Sequence, residues 1–250
     1  MSENTFLYFM IIAHVLGDFT FQTSQIVKMK MKSNIGLFIH LIIVLFFYLL
    51  IGLFYFNSKY IFAISIIFIS HYIIDYLKIK LGRKYNINGV RASLSLIADQ
   101  ILHLFFMMLV FYAFKPWVMN DLGCNIIAAV FSNTQLSSNL PDKIIIFSAF
   151  IMFVTRGGTV FVKTFTGRFD NKIFNEKCKN YFDGVVIGEI ERIIIFVLFI
   201  LKLYIFVVFI IVLKLGYHRY CRKKDICDYK GTFYSVILAI LLGTIYNFIL

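Results

Sequence analysis

The chain has 250 residues, 60% of them hydrophobic and 15% charged, with a formal net charge of +12 and a mean hydropathy of +0.84. A water-soluble domain of this length would expose much of that apolar material, so the composition excludes an ordinary soluble fold and points to helices that use the bilayer as solvent. In that setting the positive charge reads as membrane topology and attraction to anionic lipid, and no nucleic-acid partner is expected.

Apolar runs predict about eight transmembrane helices, at roughly 5–22, 35–56, 60–78, 93–114, 143–165, 185–201, 203–217 and 232–250. Each approaches the ~20 residues that span ~30 Å of hydrocarbon. The first follows MSENT, which has an acid and no basic flank, so it is expected to be retained and not cleaved as a signal. Residues 123–131 are too short to span. Thr155-Arg156-Gly157-Gly158 interrupts the fifth run. The sixth and seventh meet at Lys202, read as a tight hairpin, although one continuous helix would give seven spans. Cys124, Cys178, Cys221 and Cys227 form neither a disulfide framework nor a zinc-type spacing. The expected fold class is all-α, a polytopic membrane helix bundle. It is organised as a single transmembrane domain over 1–250, with a polar four-helix half at 1–114 and C-terminal helices at 143–250.

The basic residues orient this bundle. Twenty of the 25 Lys and Arg fall in the loops after helices one, three, five and seven; Lys59, Lys115, Lys143 and Lys202 fall opposite, and Arg192 lies within a helix. The rich loops belong in the cytoplasm, which puts both termini outside a multi-pass protein of the inner (plasma) membrane. The basic stretches 155–184 and 218–230 are expected to meet anionic lipid.

Against this background the polar residues inside the spans stand out. Four of the five histidines (His14, His40, His71, His103) and five acids (Asp18, Asp75, Asp99, Glu189, Glu191) lie there. Each acid costs ~2.5–3.5 kcal/mol at a helix centre unless it is paired, neutralised or bound to a cation. His14 and Asp18 share a helix face at i, i+4, as do His71 and Asp75, while the antiparallel fourth helix carries the reversed order Asp99…His103. The reversal places three aspartates at one depth toward the cytoplasm and three histidines one turn, ~6 Å, deeper. His40 and the group Glu189, Glu191 and Arg192 fall at a similar depth. Imidazole and carboxylate without thiolate suit a divalent zinc, manganese or iron ion, with His14, Asp18, His40, His71, Asp75, Asp99 and His103 as candidate ligands. Gln22 and Gln100 are placed to orient ligands from behind.

These residues also carry a resemblance. His14-x-x-x-Asp18-x-x-x-Gln22, His40 opening the second helix, His71-x-x-x-Asp75-x-x-Lys78, Asp99-Gln100-x-x-His103 and the later Ile187-Gly188-Glu189-Ile190-Glu191-Arg192 resemble a bacterial membrane-protein family defined only as a domain of unknown function, DUF3307. The similarity runs along residues 1–110 and, more loosely, 185–220. It implies a bacterial inner-membrane protein and singles out the same residues, but it implies no activity.

Three functions fit the pattern. In a metal-dependent hydrolase of a lipid or other amphiphile, Glu189 or Glu191 would act as base, and Lys78 and Arg192 would hold an anionic head group. In a proton- or cation-coupled transporter the same groups would form a relay, though a relay calls for polar groups continuing through the outer leaflet. In a non-catalytic membrane module the cluster would hold helices or a partner together.

Overall fold

The computed structural model describes residues 4–85, 90–131, 140–166, 181–222 and 229–249, and among them every regular element is helical. All eight apolar runs are helix. By length and composition, five helices among the described residues can cross a membrane: Asn34–Tyr55, Ser58–Lys84, Arg91–Ala113, Asp142–Phe165 and Lys230–Ile249. A sixth is possible if Thr5–Thr20 and Gln25–Lys32, bent 88° to one another, count as one broken span. The expected eight is therefore refined: the first run is broken, Tyr204–Gly216 is a shorter apolar helix, and the run around Glu189, Glu191 and Arg192 carries three charges.

Packing divides the chain into two compact units, Met1–Ile87 with Leu94–Met152, and Asn88–Ser93 with Phe153–Leu250.

The first unit holds α1 (Thr5–Val15), which passes into a π-helical turn (Leu16–Thr20) closed by Phe21 N donating to Leu16 O at 2.9 Å. The turn of direction that follows is written in cap residues. Thr23 starts α2 (Ser24–Lys32) by accepting from Ile26 N, and Ser33 starts α3 (Asn34–Tyr55) by accepting from Gly36 N at 3.1 Å. Asn57 caps α4 (Ser58–Lys84) through Tyr60 N at 2.8 Å. Then come α5 (Val90–Ala113), the short α6 (Asp121–Phe131) and α7 (Leu140–Met152). Helix α6 is docked to the end of α3 by Asn120, whose N and Nδ2 donate to Phe54 O and Leu53 O, each at 2.8 Å.

Glycine decides two of these contacts. A Cβ at Gly36 would lie 2.1 Å from the Met29 carbonyl carbon and 2.6 Å from Lys30 N, so only glycine lets α2 fold back onto α3. A Cβ at Gly17 would lie 2.9 Å from Val44 Cγ2, so glycine also seats the π turn against α3.

Buried apolar side chains lie on either side of the polar residues along α3 and α4. On one side Phe6, Met10, Tyr48, Tyr60, Phe111 and Trp117 pack together, with Phe6 stacked on Trp117 at 3.7 Å between centroids. On the other lie Leu37, Leu41 and Ile79. The outer face of α3 is apolar as well, with Ile35 71% and Phe38 57% exposed, a surface compatible with hydrocarbon and not with water.

The second unit holds a second π turn (Phe153–Gly157), α8 (Gly158–Phe165), α9 (Tyr181–Ile200), α10 (Tyr204–Arg222) and α11 (Tyr229–Ile249). Helices α9 and α10 form the expected hairpin: Lys202 takes a left-handed φ of 59°, and Leu203 N closes the turn on Leu198 O at 2.9 Å. Residues 167–180 and 223–228, which hold much of the basic stretches together with Cys178 and Cys227, lie outside the described residues.

Candidate metal centre

The first unit gathers eleven polar side chains from α1 and its π turn (His14, Asp18), the bend (Gln22), α2 (Lys30), α3 (His40), α4 (His71, Asp75, Lys78) and α5 (Asp99, Gln100, His103). The four histidines and three aspartates are all buried, Asp75 and His40 completely. The expected convergence of three His–Asp pairs is met: ring centroids are 5.5 Å apart for His14–His71, 4.9 Å for His14–His103 and 4.1 Å for His71–His103.

At the centre, four ligand atoms face one another. His40 Nε2 and His71 Nε2 are 3.4 Å apart. His40 Nε2 lies 3.4 Å from Asp18 Oδ1 and 3.2 Å from Asp75 Oδ2, and His71 Nε2 lies 3.3 and 3.4 Å from the same two oxygens. Ligands around zinc at 2.0–2.1 Å in a tetrahedron are separated by ~3.3–3.4 Å, so His40, His71 and Asp75, with all three of their mutual separations at 3.2–3.4 Å, have the spacing of three ligands of one shell. Three overlapping sets bring their ligand atoms within 4.8 Å of one another: His14, Asp18 and His71; His40, His71 and Asp75; and Asp18, Asp99 and His103. Asp18 and His71 each belong to two of them. The π turn places Asp18 there, leaving it 3.7 Å from His14, its i−4 neighbour, and closer to His40 and His71.

The two glutamines set the donors and acceptors. Gln100 Nε2 points to Asp99 Oδ2 at 3.1 Å and Asp18 Oδ2 at 3.4 Å, and carboxylates only accept, so Gln100 Oε1 must accept from His14 Nε2 at 3.2 Å. His14 Nδ1 is left as a buried nitrogen without a protein hydrogen-bond partner. The Gln22 amide donates to the Asp18 main-chain carbonyl at 2.7 Å and accepts from Lys30 Nζ at 3.3 Å. Its oxygen also lies 3.3 Å from His40 Nδ1, so Nδ1 carries the proton and Nε2 offers a lone pair to the centre. Acceptors thus face acceptors: Asp18 Oδ1, Asp75 Oδ1, Asp99 Oδ1 and His103 Nε2 are all buried without a hydrogen-bond partner. Orphaned buried acceptors in such number call for a cation or protons among them.

Two lysines flank the aspartates. Lys78 Nζ lies 2.6 Å from Asp99 Oδ2, so this residue, expected to hold a head group, is engaged by an acid of the cluster. Lys30 Nζ lies 2.6 Å from Asp75 Oδ2, with both side chains buried. Lys30 was read from sequence as one more basic residue flanking a span. The signal that could have found it is the cap pair Thr23 and Ser33, which makes 24–32 a separate short helix. With neutral histidines, three carboxylates against two ammonium groups leave one negative charge in the cluster.

Glu189, Glu191 and Arg192 belong to the second unit and have their partners there. Glu189 accepts from Thr159 Oγ1 at 3.0 Å and Arg156 Nη1 at 3.4 Å, and Glu191 pairs with Lys214. The Arg192 guanidinium, buried, donates to Val154 O at 2.8 Å, Thr155 O at 3.1 Å, Thr159 Oγ1 at 2.6 Å and Ser235 Oγ at 3.3 Å. It thereby satisfies carbonyls that the π turn frees, and each of its three nitrogens is used.

A family model described as a protein of unknown function, DUF3307, matches residues 6–140. That stretch contains every residue of the cluster; Glu189, Glu191 and Arg192 lie beyond it. No curated protein and no solved structure matches the chain.

Proposed function

The chain belongs to the DUF3307 family, and from the cluster that its matched segment builds we propose a metal-dependent hydrolase of the bacterial inner membrane, acting on a lipid or other amphiphile. The observation that carries this reading is the set of four buried ligand atoms, His40 Nε2, His71 Nε2, Asp18 Oδ1 and Asp75 Oδ2, with the two nitrogens 3.4 Å apart and each 3.2–3.4 Å from both oxygens.

A divalent ion bound there, zinc before manganese or iron on the mixed nitrogen and oxygen donor set, supplies Lewis-acid activation of water and of a carbonyl or phosphoryl group. The chain's own groups supply the rest. Gln22 turns the His40 lone pair inward, and Gln100 fixes His14 and Asp18 together. His14 Nδ1 is a buried nitrogen of the cluster without a hydrogen-bond partner, the group we assign to take a proton from water during its addition across an ester bond and to return it to the departing oxygen. Lys30 and Lys78 pair with Asp75 and Asp99. The glutamates of the second unit are not needed, since His14 fills the role of base.

The test is elemental analysis of detergent-purified protein, wild type beside His71→Ala/Asp75→Ala. One or two equivalents of metal, lost in the double variant while the protein stays monodisperse, support the proposal. A wild type that neither contains metal nor takes it up on addition sinks it. The residual negative charge favours one second reading, a proton-coupled carrier, because a single proton shared among the histidines would balance the cluster. Uptake driven by a proton gradient in liposomes, without any metal, would support that alternative.

A further inference from the structure

Lys30 faces two ways. Its ammonium ends on Asp75, and its stem forms one wall of a groove of about 420 Å³. The opposite rim carries Lys80, Arg83 and Lys84, the floor is the buried Leu37 and Ile79, and α3 begins in the wall at Asn34. Among the described residues no acid lines the groove. Its size lies in the range of ligand sites, ~300–1,000 Å³. Three cations of α4, Lys80, Arg83 and Lys84, together with the positive end of the 22-residue α3, make an anion site, while the fourth, Lys30, is held by Asp75. Next along α3 to the groove residues Asn34 and Leu37 stand the exposed apolar side chains Ile35 and Phe38.

We infer that this groove binds the phosphate head of an anionic amphiphile, whose chain lies along α3 and whose ester is carried by Lys30 to the edge of the His/Asp cluster. The proposal rests on the hydrolase reading and gives that site its substrate class, a phosphate-bearing lipid. Charge complementarity selects the phosphate, and the apolar floor selects a lipid over a free ion. The span of one lysine side chain separates groove from cluster, and Lys30, buried between them, must swing away from Asp75 for a head group held by Lys80, Arg83 and Lys84 to reach the metal ligands.

The experiment uses the full-length protein in detergent with dihexanoyl phosphatidic acid, dihexanoyl phosphatidylcholine and inorganic phosphate as probes, and binding read by thermophoresis. Wild type is set beside Lys80→Gln/Lys84→Gln and Lys80→Arg/Lys84→Arg, both pairs being exposed and outside the cluster. The expected result is saturable binding of phosphatidic acid, at least about tenfold tighter than phosphatidylcholine. It should weaken about tenfold in the Gln pair and recover in the Arg pair. Equal affinity for the two lipids, or no change in the Gln pair, overturns the proposal. Inorganic phosphate binding as tightly as phosphatidic acid overturns the amphiphile and leaves a phosphate-ion site. Metal content on the same samples separates the two readings. A metal-free protein that still binds phosphatidic acid at this rim counts against the metal and for the groove, and a metal-loaded protein that does not bind it counts the other way.

Discussion

Replacing Lys30 with methionine tests the centre from the side the sequence concealed. The Lys30–Asp75 pair is 2.6 Å long, with the lysine side chain 9% and the aspartate 0% exposed, so no water replaces the ammonium when it is removed. Breaking a buried pair by deleting one partner costs ~3–5 kcal/mol, because the other charge is left uncompensated. For a chain of this size that lowers the melting temperature on the order of 10 °C. A metal on Asp75 would take over the missing charge, so zinc should bind the variant more tightly than the wild type, and each tenfold of that difference closes the gap by ~1.4 kcal/mol at saturating zinc. Lys30→Met should therefore melt on the order of 10 °C below wild type in chelator, and the gap should narrow to a few degrees in excess zinc. Thermal unfolding followed by intrinsic fluorescence in detergent reads both numbers. A gap of the same size with and without zinc refutes the sharing of Asp75 between lysine and metal, and no gap in chelator refutes the ion pair.

Three further outcomes follow from the same geometry. Gly36→Ala drives a methyl to 2.1 Å from Met29 backbone, so α2 must retreat by about 1.5 Å and take Lys30 with it; the loss should be ~2–4 kcal/mol, and the double variant with Lys30→Met should be clearly less destabilised than the sum of the two, a non-additivity that denaturant titration would detect. Gln100→Leu removes the group that ties His14, Asp18 and Asp99 together and should weaken zinc about ten- to a hundredfold in a chelator competition, with unchanged affinity as the result against it. Arg192→Met should cost ~1–3 kcal/mol through the orphaned Val154 carbonyl, Thr155 O keeping its bond from Thr159 Oγ1, yet leave the zinc stoichiometry at the wild-type value; metal lost from an otherwise folded variant would contradict the assignment of the centre to the first unit.

The centre was legible in sequence to the extent that it is periodic. His14/Asp18, His71/Asp75 and Asp99/His103 announce themselves by i, i+4 spacing in otherwise apolar helices, and alternating helix direction puts them level. His40 was found by depth alone, and Gln22 and Gln100 by adjacency. Hydropathy does not encode direction, however, so the 88° bend after the first helix was invisible, and with it the return of Lys30 to Asp75. Depth misleads for the same reason: Glu189, Glu191 and Arg192 shared a level with the cluster on paper, but their partners are Arg156, Thr159, Lys214 and the π-turn carbonyls. The π turn at Leu16–Thr20 has no compositional mark either, although Gly17 against Val44 shows in hindsight where the helix had to come close.

The partners of the three aspartates differ in the order in which a ribosome makes them. Asp75 pairs with Lys30, His40 and His71, all made before it; Asp99 pairs with the earlier Lys78, and its later contacts, Gln100 and His103, lie within the next turn of its own helix. Asp18 has His14 before it, at 3.7 Å, while His40, His71 and Gln100 all come later. In a membrane, the first helix therefore reaches the translocon carrying a carboxylate whose nearest contacts do not yet exist, at a cost of ~2.5–3.5 kcal/mol if it sits at the bilayer centre. The broken shape of the N-terminal segment, bent 88° after its π turn, suits a helix whose acid is paired in full only once α3 has brought His40.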